Sequence, residues 1–496
     1  MTSQDEFQRA LDYIRAGQFK RADKALSRTA RSTPQMPEPH FLMGLSAYHQ
    51  GKAKLAERHV RRAVDLAPDR NDLRQRLAEL LLENGDADAA LDHVSAMLTH
   101  MPEYVAALRT AAKAQAILGR FEEAAALLTR ALAVGPDESA LHYELGIAQT
   151  RLGDDESAAQ SFARAADKSP DNATALSQRG SSLIRLGRLV EAKNTFARAA
   201  RVASDPNRPG GVELSPAVLR HEAEQIDYLE RIGIAGPDDL AYREKVRSLL
   251  EDPSRQSAID SAFIEQFVAI DHRGFGKVPD GDFLNPEIDP ERVQADYFAG
   301  ARSCIALDDV LAPAALLALR QFCLGARIWK KPYTAGYLGA GLGEGFGCEL
   351  VLHLSETLRT GFPKIFRDHR LRQAWGFKYD NVGKGVNVHA DIGVVNVNFW
   401  ITPSEANKDP DGGGLTVFDA PAPQDWQFAD YNTDVQKIRR HLKNSNAKAI
   451  RIPHRGNRAA IFDSTLFHET HDIDFHPGYE NRRINVTFVF GRGMPK

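Results

Sequence analysis

Small and apolar residues recur with a period of 34 along the first 206 residues of the chain. In every unit one fixed position holds Ala or Gly, a second holds Gly and a third holds Ala, and proline closes five of the six units. The four sets are Ala10, Gly44, Ala78, Ala112, Gly146 and Gly180; Gly17, Gly51, Gly85, Gly119, Gly153 and Gly187; Ala22, Ala56, Ala90, Ala124, Ala158 and Ala192; and Pro34, Pro68, Pro102, Pro136 and Pro170.

Each unit is predicted to be a pair of helices. Glycine adopts the left-handed conformation that ends a first helix, small residues let the two helices approach closely, and proline stops the second helix. A single pair cannot bury its apolar face, so the six pairs are expected to stack into a solenoid. A generic helical bundle has no reason to keep this phase.

The pattern changes after the repeats. A segment rich in Pro and Gly, residues 203–211, indicates a boundary, and Leu219, Ile226, Leu229 and Leu249 then return to helical spacing. We interpret residues 207–302 as a helical capping or linker region.

Short apolar, β-branched runs separated by turn residues follow from Trp375 onward, and they are typical of an antiparallel barrel or jelly roll. We expect this domain to span residues 303–496, with flanking helices. Its glycine-rich segment, residues 337–347, lacks the GxGxxG spacing of a phosphate-binding loop and is expected to form a mobile loop near the site entrance. The fold class predicted is therefore α+β and multidomain, with the all-α solenoid in residues 1–206.

Composition narrows the function classes. The 63 basic and 66 acidic residues nearly balance, which argues against a nucleic-acid-binding or polybasic membrane surface. No window approaches the roughly 20 apolar residues of a membrane span, the N-terminal segment lacks the apolar core of a secretion signal, and the three cysteines form no CxxC pair. We expect a cytoplasmic protein with neither nucleic acid nor membrane as a partner.

Two histidines and one aspartate are the candidate metal ligands. His389 and Asp391 stand two residues apart at the edge of an apolar run, and His468 follows Asp391 by 77 residues, at the end of another run. Two imidazoles and one carboxylate from different strands are the ligand set of a non-haem Fe(II) site with open positions. Alternatively, His389 is a buried barrel histidine and Asp391 a turn residue.

Neighbouring residues leave further alternatives open. His471 and His476 compete with His468 but are expected on the surface of an acidic loop. Asn396, Asn398 and Trp400 either line the pocket or alternate with apolar residues on a half-buried strand, and the second interpretation is favoured for Trp400.

The motifs resemble two known families. The 34-residue units resemble tetratricopeptide repeats. The C-terminal domain resembles the prolyl-hydroxylase-like branch of the Fe(II)- and 2-oxoglutarate-dependent oxygenases, through Tyr379 ten residues before His389 and the segments FWITPSEANKDPDGGGLTVFD, GNRAAIFDSTLFHET and NRRINVTFVFG. The resemblance implies a double-stranded β-helix in which His389, Asp391 and His468 ligate Fe(II), with 2-oxoglutarate and O2 as cosubstrates.

The resemblance also implies a basic residue for the far carboxylate of 2-oxoglutarate, and two adjacent arginines are candidates. Arg483 would share a strand face with Asn485 and Thr487, whereas Arg482 would share one with apolar residues, where its charge would be buried unpaired. We choose Arg483, although the sequence leaves Arg482 open. Tyr379 and Asn485 are expected to add hydrogen bonds to the cosubstrate.

Three functional hypotheses follow. The first is a dioxygenase that hydroxylates a peptide or protein recruited by the groove of the repeats. The second keeps this chemistry on a small molecule and gives the repeats a role in assembly. The third is a repeat scaffold with a catalytically silent barrel. The substrate, the oligomeric state and whether the repeats bind substrate or a separate partner stay open.

Overall fold

The computed structural model describes residues 3–207, 212–254, 259–299, 303–367 and 369–492. The chain divides into two compact units, Met1–Lys168 and Ser169–Lys496. The predicted linker begins at residue 207, and the next four residues, 208–211, lie outside the described ranges. Its predicted end, residue 302, also lies outside them. In the described part of the chain, no helix is long and apolar enough to cross a membrane.

Unit 1 is helical throughout its described residues, and its helices follow the predicted pairs. The helices are α1 (Ser3–Arg15), α2 (Phe19–Ser32), α3 (Pro37–His49), α4 (Ala53–Leu66), α5 (Asn71–Glu83), α6 (Ala87–His100), α7 (Val105–Ile117), α8 (Phe121–Val134), α9 (Ser139–Leu152) and α10 (Asp155–Lys168).

The periodic small residues have the predicted roles. The six glycines that separate the helices of each pair, from Gly17 to Gly187, all have φ between +69° and +85°, a region that costs other residues energy. At the small position of the second pair, a Cβ on Gly44 would lie 2.5 Å from Cγ2 of Val60. The period therefore reports both the turn and the close packing inside each pair.

Unit 2 begins with the sixth helical pair. Its helices are α11 (Ala173–Arg185), α12 (Leu189–Ala203), α13 (Pro216–Arg231), α14 (Pro237–Glu251), α15 (Ser261–Val268), α16 (Pro290–Ala299), α17 (Pro313–Gly325), α18 (Glu349–Gly361), α19 (Pro363–Phe366), α20 (Phe428–Asn432) and α21 (Val435–Asn444).

Helix α13 is fastened to the C-terminal part of the chain by buried polar contacts. Nε2 of Gln225 donates to the carbonyl oxygens of Leu324 (2.8 Å) and Ala326 (3.0 Å). Glu222 is 2% exposed and pairs with Arg327 and with Lys330. Helix α13 therefore packs against the end of α17 and the segment that leads into the strand Lys331–Tyr333.

The strands of the described residues form three antiparallel sheets. Their order is β1-β9-β6-β12-β4-β3-β2 in the largest, β10-β7-β8 in the second and β11-β5 in the smallest. The strands are β1 (Cys304–Leu307), β2 (Lys331–Tyr333), β3 (Tyr337–Gly341), β4 (Leu371–Tyr379), β5 (Val382–Gly383), β6 (Val395–Trp400), β7 (Leu415–Pro421), β8 (Ala449–Ile452), β9 (Arg458–Asp463), β10 (Leu466–Thr470), β11 (Ile473–Asp474) and β12 (Ile484–Phe490).

The two larger sheets share an apolar core, to which β6 and β9 contribute from one sheet and β7, β8 and β10 from the other. All six residues of β6 are buried. The expectation of a half-buried strand was therefore wrong, because β6 is an interior strand covered on both faces.

The glycine-rich segment differs from the expected entrance loop. Its first five residues form β3, which pairs with β4, and the ring of Tyr337 lies against that of Tyr379 with a centroid separation of 4.9 Å. Its later part packs on the sixth helical pair: a Cβ on Gly343 would lie 1.9 Å from Oγ of Ser177 in α11, and one on Gly347 would lie 2.8 Å from the ring of Phe196 in α12. Here glycine permits close packing between a loop and two helices.

Candidate metal centre and anion site

The backbone brings His389 and His468 side by side. The two residues exchange backbone hydrogen bonds, from His389 N to His468 O (3.0 Å) and from His468 N to His389 O (2.8 Å). The register of β10 shifts between Leu466 and His468, an irregularity that redirects side chains. The two rings lie 4.4 Å apart, centroid to centroid.

Asp391 completes the cluster. Its backbone N–H donates to Ser464 O at 3.1 Å, which holds the turn before β6 against the strand end that precedes His468. Its carboxylate oxygens lie 4.0 Å from Nε2 of His389 and 3.5 Å from Nε2 of His468. Among the described residues, these three form the one group whose ligand atoms all lie within 4.8 Å of one another as a metal site requires.

Both imidazoles have the tautomer that a metal needs. Nδ1 of His389 lies 2.7 Å from the carbonyl oxygen of Asn387, and Nδ1 of His468 lies 3.1 Å from that of Leu466. A carbonyl only accepts, so each Nδ1 carries the proton and each Nε2 presents its lone pair. Burial, and then the neighbouring His389, lower the pKa of His468 to about 4, which keeps it neutral at pH 7.

These residues fit Fe(II). The donor set of two neutral imidazoles and one carboxylate matches this metal, and three protein ligands leave positions for other molecules.

Arg483 lies at the second candidate site, and it is buried with no acidic side chain paired to it among the described residues. It is 1% exposed; its Nε donates to Gly413 O at 2.5 Å, and its guanidinium carbon lies 4.8 Å from the centroid of the Tyr379 ring. Nη1 has no hydrogen-bond partner among the described residues. Burial lowers the pKa of Arg483, but the guanidinium stays charged at neutral pH.

The neighbouring Arg482 is fully paired. Its guanidinium contacts Asp380 at 2.5 Å and Glu224 of α13 at 2.8 Å. The reason given above for rejecting Arg482 was therefore wrong, since its charge is buried but not unpaired. Arg483 nevertheless is the arginine with a free donor.

Other buried polar atoms near Arg483 also lack partners. Within the described residues, neither ring nitrogen of His454 has one, nor do Oδ1 of Asn485 and Nε1 of Trp400. His454 is 5% exposed and its ring packs 5.0 Å from that of Phe475, and burial, then Arg483 and Arg458, lower its pKa to about 3. Buried polar groups are normally paired, so this concentration indicates a ligand-binding region.

Sequence reasoning missed His454 and misjudged His471. His454 follows β8 with no periodic or motif signal, and only its burial marks it. His471 is half-buried rather than a free surface residue: its Nδ1 accepts from Gly414 N at 3.3 Å and its Nε2 lies 2.9 Å from Oγ1 of Thr416. His476 is exposed, as expected.

One family model, described as tetratricopeptide repeat, matches residues 7–71, 41–109, 109–173 and 156–209. The N-terminal region contains tetratricopeptide repeats. The match ends at residue 209, and the first strand, β1, begins at Cys304. The match therefore includes none of the candidate site residues. No curated protein matches the chain.

Several solved structures are similar to this chain. MamA of Desulfovibrio magneticus RS-1, from residue 41 on, is 21% identical with a TM-score of 0.33, covering 34% of this chain and 96% of MamA. A thermophilic TPR protein of Thermus thermophilus is 24% identical with a TM-score of 0.29, covering 34% and 91%. YrrB, described as a TPR protein with an unusual peptide-binding site, is 14% identical with a TM-score of 0.32, covering 37% and 94%.

Proposed function

We propose that this chain is an Fe(II)- and 2-oxoglutarate-dependent dioxygenase that hydroxylates a C–H bond of a peptide or protein, and that its C-terminal sheets form a jelly roll. The observation that carries the proposal is the convergence of His389, His468 and Asp391, each of which offers one ligand atom within 4.8 Å of the other two. Because both Nδ1 protons are committed to backbone carbonyls, the ligand atoms need no rearrangement to receive a metal.

Arg483 supports the choice of a dicarboxylate cosubstrate. A buried guanidinium with a free Nη1 is costly unless an anion pairs with it, and Arg offers carboxylates a two-pronged set of donors. The Tyr379 ring against the guanidinium holds its plane. Arg483 would thus bind the far carboxylate of 2-oxoglutarate while the other end reaches the metal.

With iron bound, such a site supplies the oxidative decarboxylation of 2-oxoglutarate by O2, which gives succinate and CO2 and hydroxylates the substrate. The chain itself orients the reactants and excludes water. His389 and Asp391 remain partly exposed, with side chains 18% and 13% accessible, whereas the His468 side chain is 5% accessible. We infer that the substrate approaches from the side of His389 and Asp391.

The tetratricopeptide repeats support a peptide or protein substrate, because stacked helical repeats form extended binding surfaces. Two alternatives remain within reach of experiment: a small-molecule substrate with the repeats used for assembly, and a repeat scaffold whose barrel has no activity. The scaffold is favoured by one observation, that the family match is confined to residues 7–209.

Succinate formation tests the proposal. Purified full-length protein with Fe(II), 2-oxoglutarate and O2 is expected to form succinate, and His389→Ala is expected to reduce this to background. His476→Ala is the matched control, since it removes an exposed histidine outside the metal cluster. If the wild type forms no more succinate than His389→Ala, and anaerobic Fe(II) with 2-oxoglutarate gives no absorption band, the enzyme proposal is wrong and the scaffold stands.

A further inference from the structure

Three buried asparagines form a continuous hydrogen-bonded row that ends at the metal-ligating carboxylate. Nδ2 of Asn485 donates to Oδ1 of Asn398 (3.0 Å), Nδ2 of Asn398 donates to Oδ1 of Asn396 (2.7 Å), and Nδ2 of Asn396 donates to Oδ2 of Asp391 (2.5 Å). The three side chains are 6%, 6% and 0% exposed, respectively. The row runs from β12 to β6 and ends at Asp391, in the turn that precedes β6.

The direction of the row follows from its last acceptor. An ionised carboxylate only accepts hydrogen bonds, so Asn396 must present its NH2 group to Asp391. Its own oxygen then faces Asn398, which must present its NH2 group in turn, and the same holds for Asn485. Every amide therefore has its positive end toward Asp391, and buried hydrogen bonds arranged head to tail reinforce one another.

The row also begins near the anion site. Asn485 follows Arg483 by two residues, and its Oδ1 has no partner in the described part of the chain. Thr487 reinforces the middle of the row, since its Oγ1 donates to the same Oδ1 of Asn398 at 2.9 Å. Oγ1 of Thr487 also accepts from Nδ2 of Asn485 at 2.9 Å, so this hydroxyl bridges Asn485 and Asn398 beside their direct hydrogen bond.

We infer that Asn396, supported by Asn398 and Asn485, is a positioning residue that fixes the rotation of the Asp391 carboxylate for the metal. This inference rests on the metal centre of the proposed function. Without the Asn396 donor, the carboxylate could rotate about its Cβ–Cγ bond toward the solvent that reaches it. The amide row holds the carboxylate oxygens in place before the metal arrives.

Mn(II) binding to the full-length protein tests the inference without turnover. Mn(II) takes carboxylate and imidazole ligands, and the free ion is measured by electron paramagnetic resonance in the absence of any oxo acid. Asn396→Leu, which keeps the volume but removes the donor, is expected to weaken Mn(II) binding about tenfold to hundredfold, as outer partners of metal ligands generally do. Asn398→Leu should weaken it less, by about threefold to tenfold, because Asn396 still contacts Asp391.

Thr487→Val is the matched control. It removes the hydroxyl that bridges Asn485 and Asn398 and should change the Mn(II) affinity by less than about twofold, because the direct hydrogen bonds that link Asn485, Asn398, Asn396 and Asp391 do not pass through it. The melting temperatures of the metal-free variants are measured in parallel. A general loss of stability would lower the melting temperatures but would not give the predicted order of Mn(II) affinities. A positioning role gives that order, with Asn396→Leu weakest, then Asn398→Leu, then Thr487→Val, while the melting temperatures stay similar. If Asn396→Leu does not fold, the Asn398→Leu and Thr487→Val pair carries the same comparison.

The outcomes separate this inference from the proposed function. Equal Mn(II) affinities in the wild type, Asn396→Leu and Asn398→Leu overturn the positioning role, even if the wild type forms succinate. The predicted order of affinities with neither succinate formation nor the anaerobic absorption band supports the positioning role and overturns the oxygenase proposal. Failure of the wild type to bind Mn(II) overturns both.

Discussion

Replacing Arg483 by methionine should weaken cosubstrate binding strongly and change the stability of the ligand-free protein only modestly. Methionine keeps the length of the side chain and removes its charge. A buried substitution of this size would normally destabilise a protein. Arg483 differs because the structure shows a fully buried charge whose Nη1 has no partner among the described residues.

The magnitude follows from the contacts of the guanidinium. Burying an ion costs several kcal/mol. The hydrogen bond to Gly413 O returns about 1.5–3 kcal/mol, as bonds to charged groups do, and the desolvated cation–π contact with Tyr379 returns about 2 kcal/mol. These terms nearly cancel, so Arg483→Met should change the stability of the ligand-free protein by less than about 2 kcal/mol, in either direction.

Binding of 2-oxoglutarate should respond much more strongly. Losing one partner of a buried charge pair costs about 3–5 kcal/mol, which corresponds to an affinity about 150 to 5,000 times lower. At a concentration 100 times the wild-type Kd, the ligand stabilises the wild type by about 2.7 kcal/mol but the variant by less than about 0.5 kcal/mol. In a large unit this is a ligand-induced rise of about 5 °C in the wild-type Tm against about 1 °C or less in the variant.

Arg482→Met is the control. Arg482 is adjacent and equally basic, but it pairs with Asp380 and Glu224. Its replacement should lower the Tm of the ligand-free protein and leave the affinity for 2-oxoglutarate nearly unchanged. Melting curves and calorimetric titrations of 2-oxoglutarate in the presence of redox-inert Mn(II) measure both quantities. The reasoning is refuted if Arg483→Met binds 2-oxoglutarate like the wild type, or if Arg482→Met loses the affinity instead.

Three further predictions concern packing, pH and substrate class. Gly343→Ala should destabilise unit 2 by about 1–3 kcal/mol, because the new methyl group meets Ser177, and Ser177→Gly in the same chain should restore part of the loss in melting curves; an unchanged Tm for Gly343→Ala would contradict this packing. Because the pKa of His454 is about 3 in the folded chain against 6.5 ordinarily, the unfolded chain binds more protons in between, so stability should fall as the pH decreases below 6.5. His454→Phe should reduce that slope by up to about 1.4 kcal/mol per pH unit. Melting curves of the two metal-free proteins from pH 7 to 5 measure the slopes, and equal slopes would refute this prediction. Deletion of residues 1–168, which leaves α11 and α12 in place, should preserve succinate formation uncoupled from substrate but abolish hydroxylation of a protein substrate recruited by the repeats, as measured by mass spectrometry; retained hydroxylation would favour a substrate that does not need them.

The repeats could be predicted because their signals are local. A glycine with positive φ at each turn, and a small residue facing its own partner helix, act within one 34-residue unit. The metal cluster could be predicted for a different reason: His389 and Asp391 stand two residues apart, and the resemblance of the surrounding segments to the oxygenases implied that His468 completes the ligand set. Its ring tautomers could not be predicted, since they depend on carbonyl directions.

Long-range pairing could not be predicted from the pattern. Strand alternation places Asn485 and Thr487 on one buried face, as their hydrogen bonds to Asn398 bear out, but alternation carries no information about what covers the opposite face. Arg482 therefore looked unpaired, whereas Glu224 reaches it from a helix 258 residues earlier in the chain.

The sequence by itself determined the helical repeats, the short strands of the C-terminal part and the residue types of the candidate site, because backbone preference and the spacing of apolar residues act over a few positions. Only the tertiary structure decided that the sixth helical pair belongs to the second unit, that Arg483 and not Arg482 lacks a counter-ion, that His454 is buried beside it, and that three asparagines form one row leading to Asp391. Each of these depends on which distant segments meet, and that is set by the packing of the whole unit rather than by any stretch of the chain.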